Sequence, residues 1–100
     1  MRQIRSPLGD STFEMNRYTH QKRPYRALAM QYQEDNREDV LSFLKQNLAE
    51  AHEYGEFIMI RFGRGRIDTI GYGSWLLVGE DGHVMSHGED EFVTKYEELK

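Results

Sequence analysis

The segment Gly73-Ser74-Trp75-Leu76-Leu77-Val78-Gly79-Glu80-Asp81-Gly82-His83-Val84-Met85 constrains the fold more than any other part of this chain. Ser74 to Val78 reads as a strand, Gly79-Glu80-Asp81-Gly82 as a tight turn, and His83 to Ser86 as the returning partner. Side chains alternate across a strand, so Trp75 and Leu77 share one face while Leu76 and Val78 share the other. Both faces are apolar. Such a strand must be covered on both sides, which places it inside a layered structure or at an interface.

The rest of the chain supplies the layers. Tyr25 to Tyr32 alternates, with Leu28, Met30 and Tyr32 against Ala27, Ala29 and Gln31, and reads as a strand opened by Pro24. Asn36 is a good helix N-cap, with Asp39 three residues on and acidic residues in the first turn. Val40, Leu41, Phe43, Leu44, Leu48 and Ala51 follow helical spacing, and Gly55 is a natural stop, so the main helix is expected over about 37–53, with a break near Gln46-Asn47 as the alternative. Glu56 to Phe62 reads as a buried strand, Gly63-Arg64-Gly65-Arg66 as a turn, and Arg66 to Ile70 as a strand. Phe92, Val93, Tyr96 and Leu99 fit one face of a short C-terminal helix or a turn leading into an extended piece. Short connections favour antiparallel pairing. The expected fold is α+β: a small, mainly antiparallel sheet of four to five strands with the main helix on one face.

One hundred residues make one domain, and a chain this short buries about two-thirds of its unfolded surface. No cysteine is present, which excludes disulfides, thiolate zinc sites and cysteine nucleophiles. No apolar run approaches the length of a membrane span and the first residues lack a secretory h-region, so a cytoplasmic protein with no membrane contact is expected. Charge is uneven. Residues 1–33 carry a net +4 and residues 34–100 a net −8. Residues 1–22 keep no helical or strand period and read as an irregular basic arm, with residues 23–100 as the folded domain.

One family pattern fits the order of these segments. Arg23-Pro24-Tyr25-Arg26-Ala27-Leu28-Ala29-Met30-Gln31-Tyr32 is followed by Asp39-Val40-Leu41-Ser42-Phe43-Leu44, then the Tyr72–Val84 segment, then Asp90-Glu91-Phe92-Val93-Thr94-Lys95-Tyr96-Glu97. Over about residues 23–98 this resembles small uncharacterised bacteriophage and prophage proteins with a C-terminal strand-turn-strand segment of the "PGDWI-x-x-G" type. The chain departs from that pattern in having Tyr72 for the proline, Ser74 for the acidic residue and Tyr32 for a first tryptophan, and residues 46–56 read as an insertion. The resemblance implies a phage or prophage context, in which small accessory proteins commonly act by binding. It implies no activity.

Candidate chemistry is sparse. His83 and His87 are four apart, but strand geometry separates them by about 13 Å. No metal site and no cofactor are expected. Arg61, Arg64 and Arg66 around the Gly-Arg turn are candidate phosphate contacts, without the Lys-Ser/Thr of a Walker loop. The arm interleaves basic and aromatic residues, a composition suited to nucleic acid, yet the chain as a whole is acidic. Glu34, Asp35, Glu38 and Asp39 crowd one helix start, where capping accounts for them and where a basic surface of another protein would also be met. The expected function is a non-catalytic phage or prophage accessory protein that binds and occludes a host macromolecule, such as a defence or nucleic-acid-handling protein, with a host or phage protein as its partner, through Tyr18, Arg23, Tyr25, Glu34, Asp35, Glu38 and Asp39. The alternatives are nucleic-acid or nucleotide binding through the arm and the Gly-Arg turn, and a structural, homo-oligomeric phage protein.

Overall fold

The structure, a computed structural model, describes residues 5–6, 9–10, 15–63 and 65–99. In chain order the strands and helices are β1 (Arg5–Ser6), β2 (Gly9–Asp10), β3 (Asn16–His20), β4 (Arg26–Gln31), α1 (Arg37–Gln46), β5 (Glu50–Tyr54), β6 (Phe57–Arg61), β7 (Ile67–Ile70), β8 (Trp75–Gly79), β9 (Val84–His87), α2 (Glu89–Lys95) and β10 (Tyr96–Glu98). A 3-10 turn over Glu34–Asn36 leads into α1. The fold is α+β and every described strand pair is antiparallel. The strands divide between a five-stranded sheet in the order β10-β3-β4-β8-β9, a three-stranded sheet β5-β6-β7, and the short pair β1-β2.

The Trp75 strand, β8, is an interior strand between β4 and β9 and is covered on both faces, as its apolar residues require. On one face of the large sheet, Leu76 and Val78 join Met30, Tyr32, the α1 residues Val40, Phe43 and Leu44, and the small-sheet residues Ile58, Ile60 and Ile70. On the other face, Leu77 joins Tyr18, Ala27, Ala29, Phe92 and Tyr96 beneath α2. The β8-β9 turn closes through the Gly79 amide on the His83 carbonyl (2.9 Å) and the Gly82 amide on the Gly79 carbonyl (2.8 Å). Gly82 sits at φ 82°, a conformation that glycine reaches without a Cβ clash.

Three expectations need correction. The main helix does not run over 37–53 but ends at Gln46, the earlier of the two stops that the sequence offers. The Leu48 amide bonds the Lys45 carbonyl (3.1 Å) and the Ala49 amide bonds the Leu44 carbonyl (2.9 Å), the paired bonds that close a helix end. Leu48 carries the left-handed residue of that closure at φ 63°, where a side chain costs about 1–2 kcal/mol. The chain then becomes β5, and Gly55 (φ 62°) takes the first position of the two-residue β5-β6 turn instead of a helix stop. Second, the irregular arm of residues 1–22 does not reach as far as expected. Asn16–His20 is a strand inside the large sheet, paired with both β4 and β10, so the folded body includes residues placed in the arm. Met15, just before β3, packs against the core, and apart from β1 and β2 the arm residues before Met15 lie outside the described residues. Third, β6 is buried on one face only, with Ile58 and Ile60 at 0 % exposure but Phe57 at 48 %.

Asn36 stands at the N-cap of α1 but makes no capping bond with its side chain. Its Nδ2 donates to the Gln31 carbonyl (2.7 Å) and its Oδ1 accepts from the Gln33 amide (2.8 Å). It therefore ties the start of the helix to the end of β4. Arg37, the first residue of α1, pairs with Glu53 (2.9 Å) and donates to the Gly55 carbonyl, fastening α1 to the β5-β6 hairpin.

Candidate binding groove at the start of the main helix

β4 leaves the large sheet at Gln31, and the 3-10 turn Glu34–Asn36 brings the chain directly into α1. This short hand-off places carboxylates beside the sheet. Asp35 and Asp39 border an open groove of about 440 Å³ whose other walls are Asn16, Ala29, Met30, Gln31, Asn36 and Trp75. Glu34 and Glu38 lie on the same acidic start. Among the described residues none of Glu34, Asp35, Glu38 and Asp39 has an ion-pair or side-chain hydrogen-bond partner, while five ion pairs are formed elsewhere. Within that set, the acidic charge here is met by the α1 N-terminus, whose dipole favours it.

The groove has an aromatic wall as well. Trp75 stacks on Phe92 with ring centroids 4.1 Å apart and planes 7° from parallel, and meets the edge of Tyr18 at 5.5 Å. Its Nε1 is buried without a hydrogen-bond partner among the described residues. Such a donor carries a desolvation penalty of about 1–3 kcal/mol. Gln31 spends its amide on the Gly73 carbonyl (3.0 Å), which holds the β4 end against the segment entering β8. Carboxylates, amides and an indole around an open groove suit a cationic, hydrogen-bonding group. Among the described residues no group of three or more His, Cys, Asp or Glu is placed to hold a metal ion.

The structure separates the residues singled out from sequence. Tyr18 is buried at 7 % exposure, with burial and the nearby Glu98 pushing its phenol up, and it contributes to the core beneath α2. Arg23 and Tyr25 lie at the opposite end of β4 from the groove. The Arg23 guanidinium sits 5.1 Å from the Tyr25 ring centroid, and the Tyr25 hydroxyl donates to Asp81 (2.9 Å). Burial first, and the Asp81 carboxylate second, push the Tyr25 phenol well up; the His83 amide and the Tyr25 hydroxyl hold Asp81 below the usual carboxylate range. The six residues of β4 put this pair about 20 Å from the acidic start. Glu34, Asp35, Glu38 and Asp39 are the part of the set that stays together.

The candidate phosphate contacts are not gathered among the described residues. Arg61 pairs with Glu50 (3.2 Å) on the outer face of β6. Arg66 pairs with Asp68 (3.0 Å) and lies 5.0 Å from the Phe62 ring centroid, beside a pocket of about 220 Å³ bordered by Asn47, Phe62 and His83. Arg64 lies outside the described residues. His83 belongs to the β8-β9 turn, while His87 bonds Glu91 (3.0 Å) in α2. Sequence reasoning missed Asn16 and Gln31 and read Trp75 first as core packing, with an aromatic pocket against Trp75 and Tyr72 as the alternative. Three separate strands supply these walls, so no local pattern joins them. Comparison with family models, with curated proteins and with solved structures gives no match for this chain.

Proposed function

We propose that this chain is a non-catalytic accessory protein that captures a basic segment of a protein partner in the groove beside α1 and so occludes it. The observation that carries this reading is the acidic start of α1, unpaired among the described residues, where Asp35 and Asp39 border an open groove that Trp75 also lines. Carboxylates that no cation among the described residues holds can pair with lysine or arginine side chains of a partner, and an aromatic ring adds a site for their stems or guanidinium planes. The resemblance of residues 23–98 to phage and prophage proteins supplies the setting, a host or phage protein as the target. Nucleic acid is the less favoured target, because Arg61 and Arg66 already hold carboxylates and the groove is acidic.

Trp75 is the single tryptophan, so its fluorescence reports on the groove. Titration with a short Arg/Gly peptide at low salt is expected to change that emission, and the response should weaken as salt is raised. The double variant D35K/D39K should bind about 30-fold more weakly, the equivalent of about 2 kcal/mol for two reversed charges, with its far-UV circular dichroism unchanged. Equal binding by the double variant, or no response from the parent chain at low salt, overturns the reading.

A further inference from the structure

The outer face of the small sheet is unlike the surface of a one-sided sheet. Such a face is normally polar, in alternation with the buried one. Here the outward residues are Glu50, His52 and Tyr54 on β5, Phe57, Met59 and Arg61 on β6, and Ile67 and Thr69 on β7. Tyr54 is 61 % exposed, Phe57 48 % and Ile67 49 %. Strand register arranges them in rows: Tyr54 beside Phe57, His52 beside Met59 beside Thr69, and Glu50 beside Arg61 beside Ile67. The face carries one carboxylate and one guanidinium, so it is electrically balanced in a chain of net charge −4.

We propose that this face is a homodimer interface, formed by stacking two copies about a two-fold axis that runs across the strands at Met59. That axis exchanges the end rows. Arg61 of each copy then lies over the Phe57 ring of the other, a cation–π contact, and the Tyr54 hydroxyl meets the Glu50 carboxylate. Met59 meets its own counterpart on the axis. Each contact occurs twice, as an isologous interface requires. The chain as a whole is acidic, whereas this face has no net charge and two copies of it meet without repulsion. Sheet-on-sheet stacking at about 10 Å is an ordinary packing for such faces. The footprint of three five-residue strands is about 14 by 17 Å, less than the roughly 800 Å² that each side of a standard interface buries. The dimer is therefore weak and concentration-dependent.

Sedimentation of the full chain between about 1 μM and about 1 mM tests this. The expected result is a monomer that shifts to a dimer across that range. Phe57→Lys and Arg61→Glu should each lose the dimer. The first sets a lysine against Arg61 of the other copy, and the second leaves Phe57 without its cation. An equimolar mixture of the two variants should recover a heterodimer, since the introduced lysine of one then meets the introduced glutamate of the other. Met59→Glu and Met59→Lys give a second pair in which each self-repels on the axis and the mixture associates, and they serve if either first variant loses its circular dichroism signal. A parent chain that stays monomeric throughout overturns the proposal. So does a dimer that survives the variants, or mixtures that fail to associate.

Discussion

The two main sheets of this molecule are built from similar strands and used differently. The large sheet is covered on both faces. Its interior strand β8 buries Leu76 and Val78 beneath α1 and the small sheet, and Leu77 beneath α2. The small sheet is covered on one face, by Ile58, Ile60 and Ile70 at 0 to 2 % exposure, yet its other face keeps Tyr54, Phe57 and Ile67 about half exposed. Apolar side chains on the large sheet are explained by folding. Those on the outer face of the small sheet are not, because removing them from water requires something outside the fold. The contrast separates residues that hold the structure from residues free to serve binding.

The sharpest test of that contrast is truncation on the two faces of β6. Ile60→Ala should destabilise the fold by about 2–5 kcal/mol, the cost of lost transfer energy plus an unfilled cavity. Phe57→Ala, on the open face of the same strand, should cost less than about 1 kcal/mol at concentrations where the chain is monomeric. Chemical denaturation of both variants measures the difference. A Phe57→Ala cost equal to that of Ile60→Ala would erase the distinction between the faces.

Two glycines probe the same distinction at a smaller scale. A Cβ at Gly79 in the large sheet would lie 1.6 Å from the Tyr25 hydroxyl and 2.8 Å from Asp81 Oδ1. Gly79→Ala must therefore expel the Tyr25 ring and break its bond to Asp81, with an expected cost of about 1–3 kcal/mol. A Cβ at Gly71, after the small sheet, would come within 3.0 Å of a Phe57 ring carbon, and that ring is half exposed and free to turn aside. Gly71→Ala should be nearly neutral in thermal unfolding, and a loss as large as that of Gly79→Ala would contradict an open face.

The smallest effect concerns the covered side alone. His20 packs edge-on against Tyr96 (5.1 Å between centroids) and its Nδ1 accepts from the Lys22 amide (3.1 Å). Burial, then the charges of Arg23, Lys95, Lys22 and His87, hold the imidazole below its ordinary pKa of 6.5. The unfolded chain therefore binds the proton more readily than the folded one. The contribution of neutral His20 is complete above pH 6.5 and is lost as pH falls through the lowered value. Thermal unfolding followed from about pH 7.5 down to about pH 5.5 should show a slight decline in stability through this group, smaller than the loss from Gly79→Ala. His20→Asn, which keeps an acceptor and cannot titrate, should flatten that part of the profile.

Particular residues show what could be read in advance. Trp75 to Val78 declared a two-sided strand because four successive apolar residues cannot present a polar face. The alternation of Ala27 to Tyr32 declared β4, and Phe92 with Tyr96 marked the helix that leads into a last extended piece. β5 was hidden because Leu48 and Ala51 continue a helical period, and the stop falls on a leucine in the left-handed region, where a glycine is the usual signal. β3 was hidden because its one buried apolar residue, Tyr18, sits among polar ones and its stability comes from two neighbouring strands. Of the binding groove, the acidic residues were visible as a run, but their meeting with Trp75 was not.

The sequence alone determined the local elements whose periodicity, turns and breaks lie within a few residues of one another. It determined the α+β class, the two-sided burial of the Trp75 strand and the acidic start of α1. Only the tertiary structure decided which of two possible stops ends the main helix and that β5 follows it, that β3 belongs to the sheet, and that the strands divide between two sheets with one face left open. Those outcomes rest on ladder bonds and buried contacts between residues far apart in the chain. Their energy is absent from any short window, and it is what overrides the local preference of Leu48 and Ala51 for a longer helix.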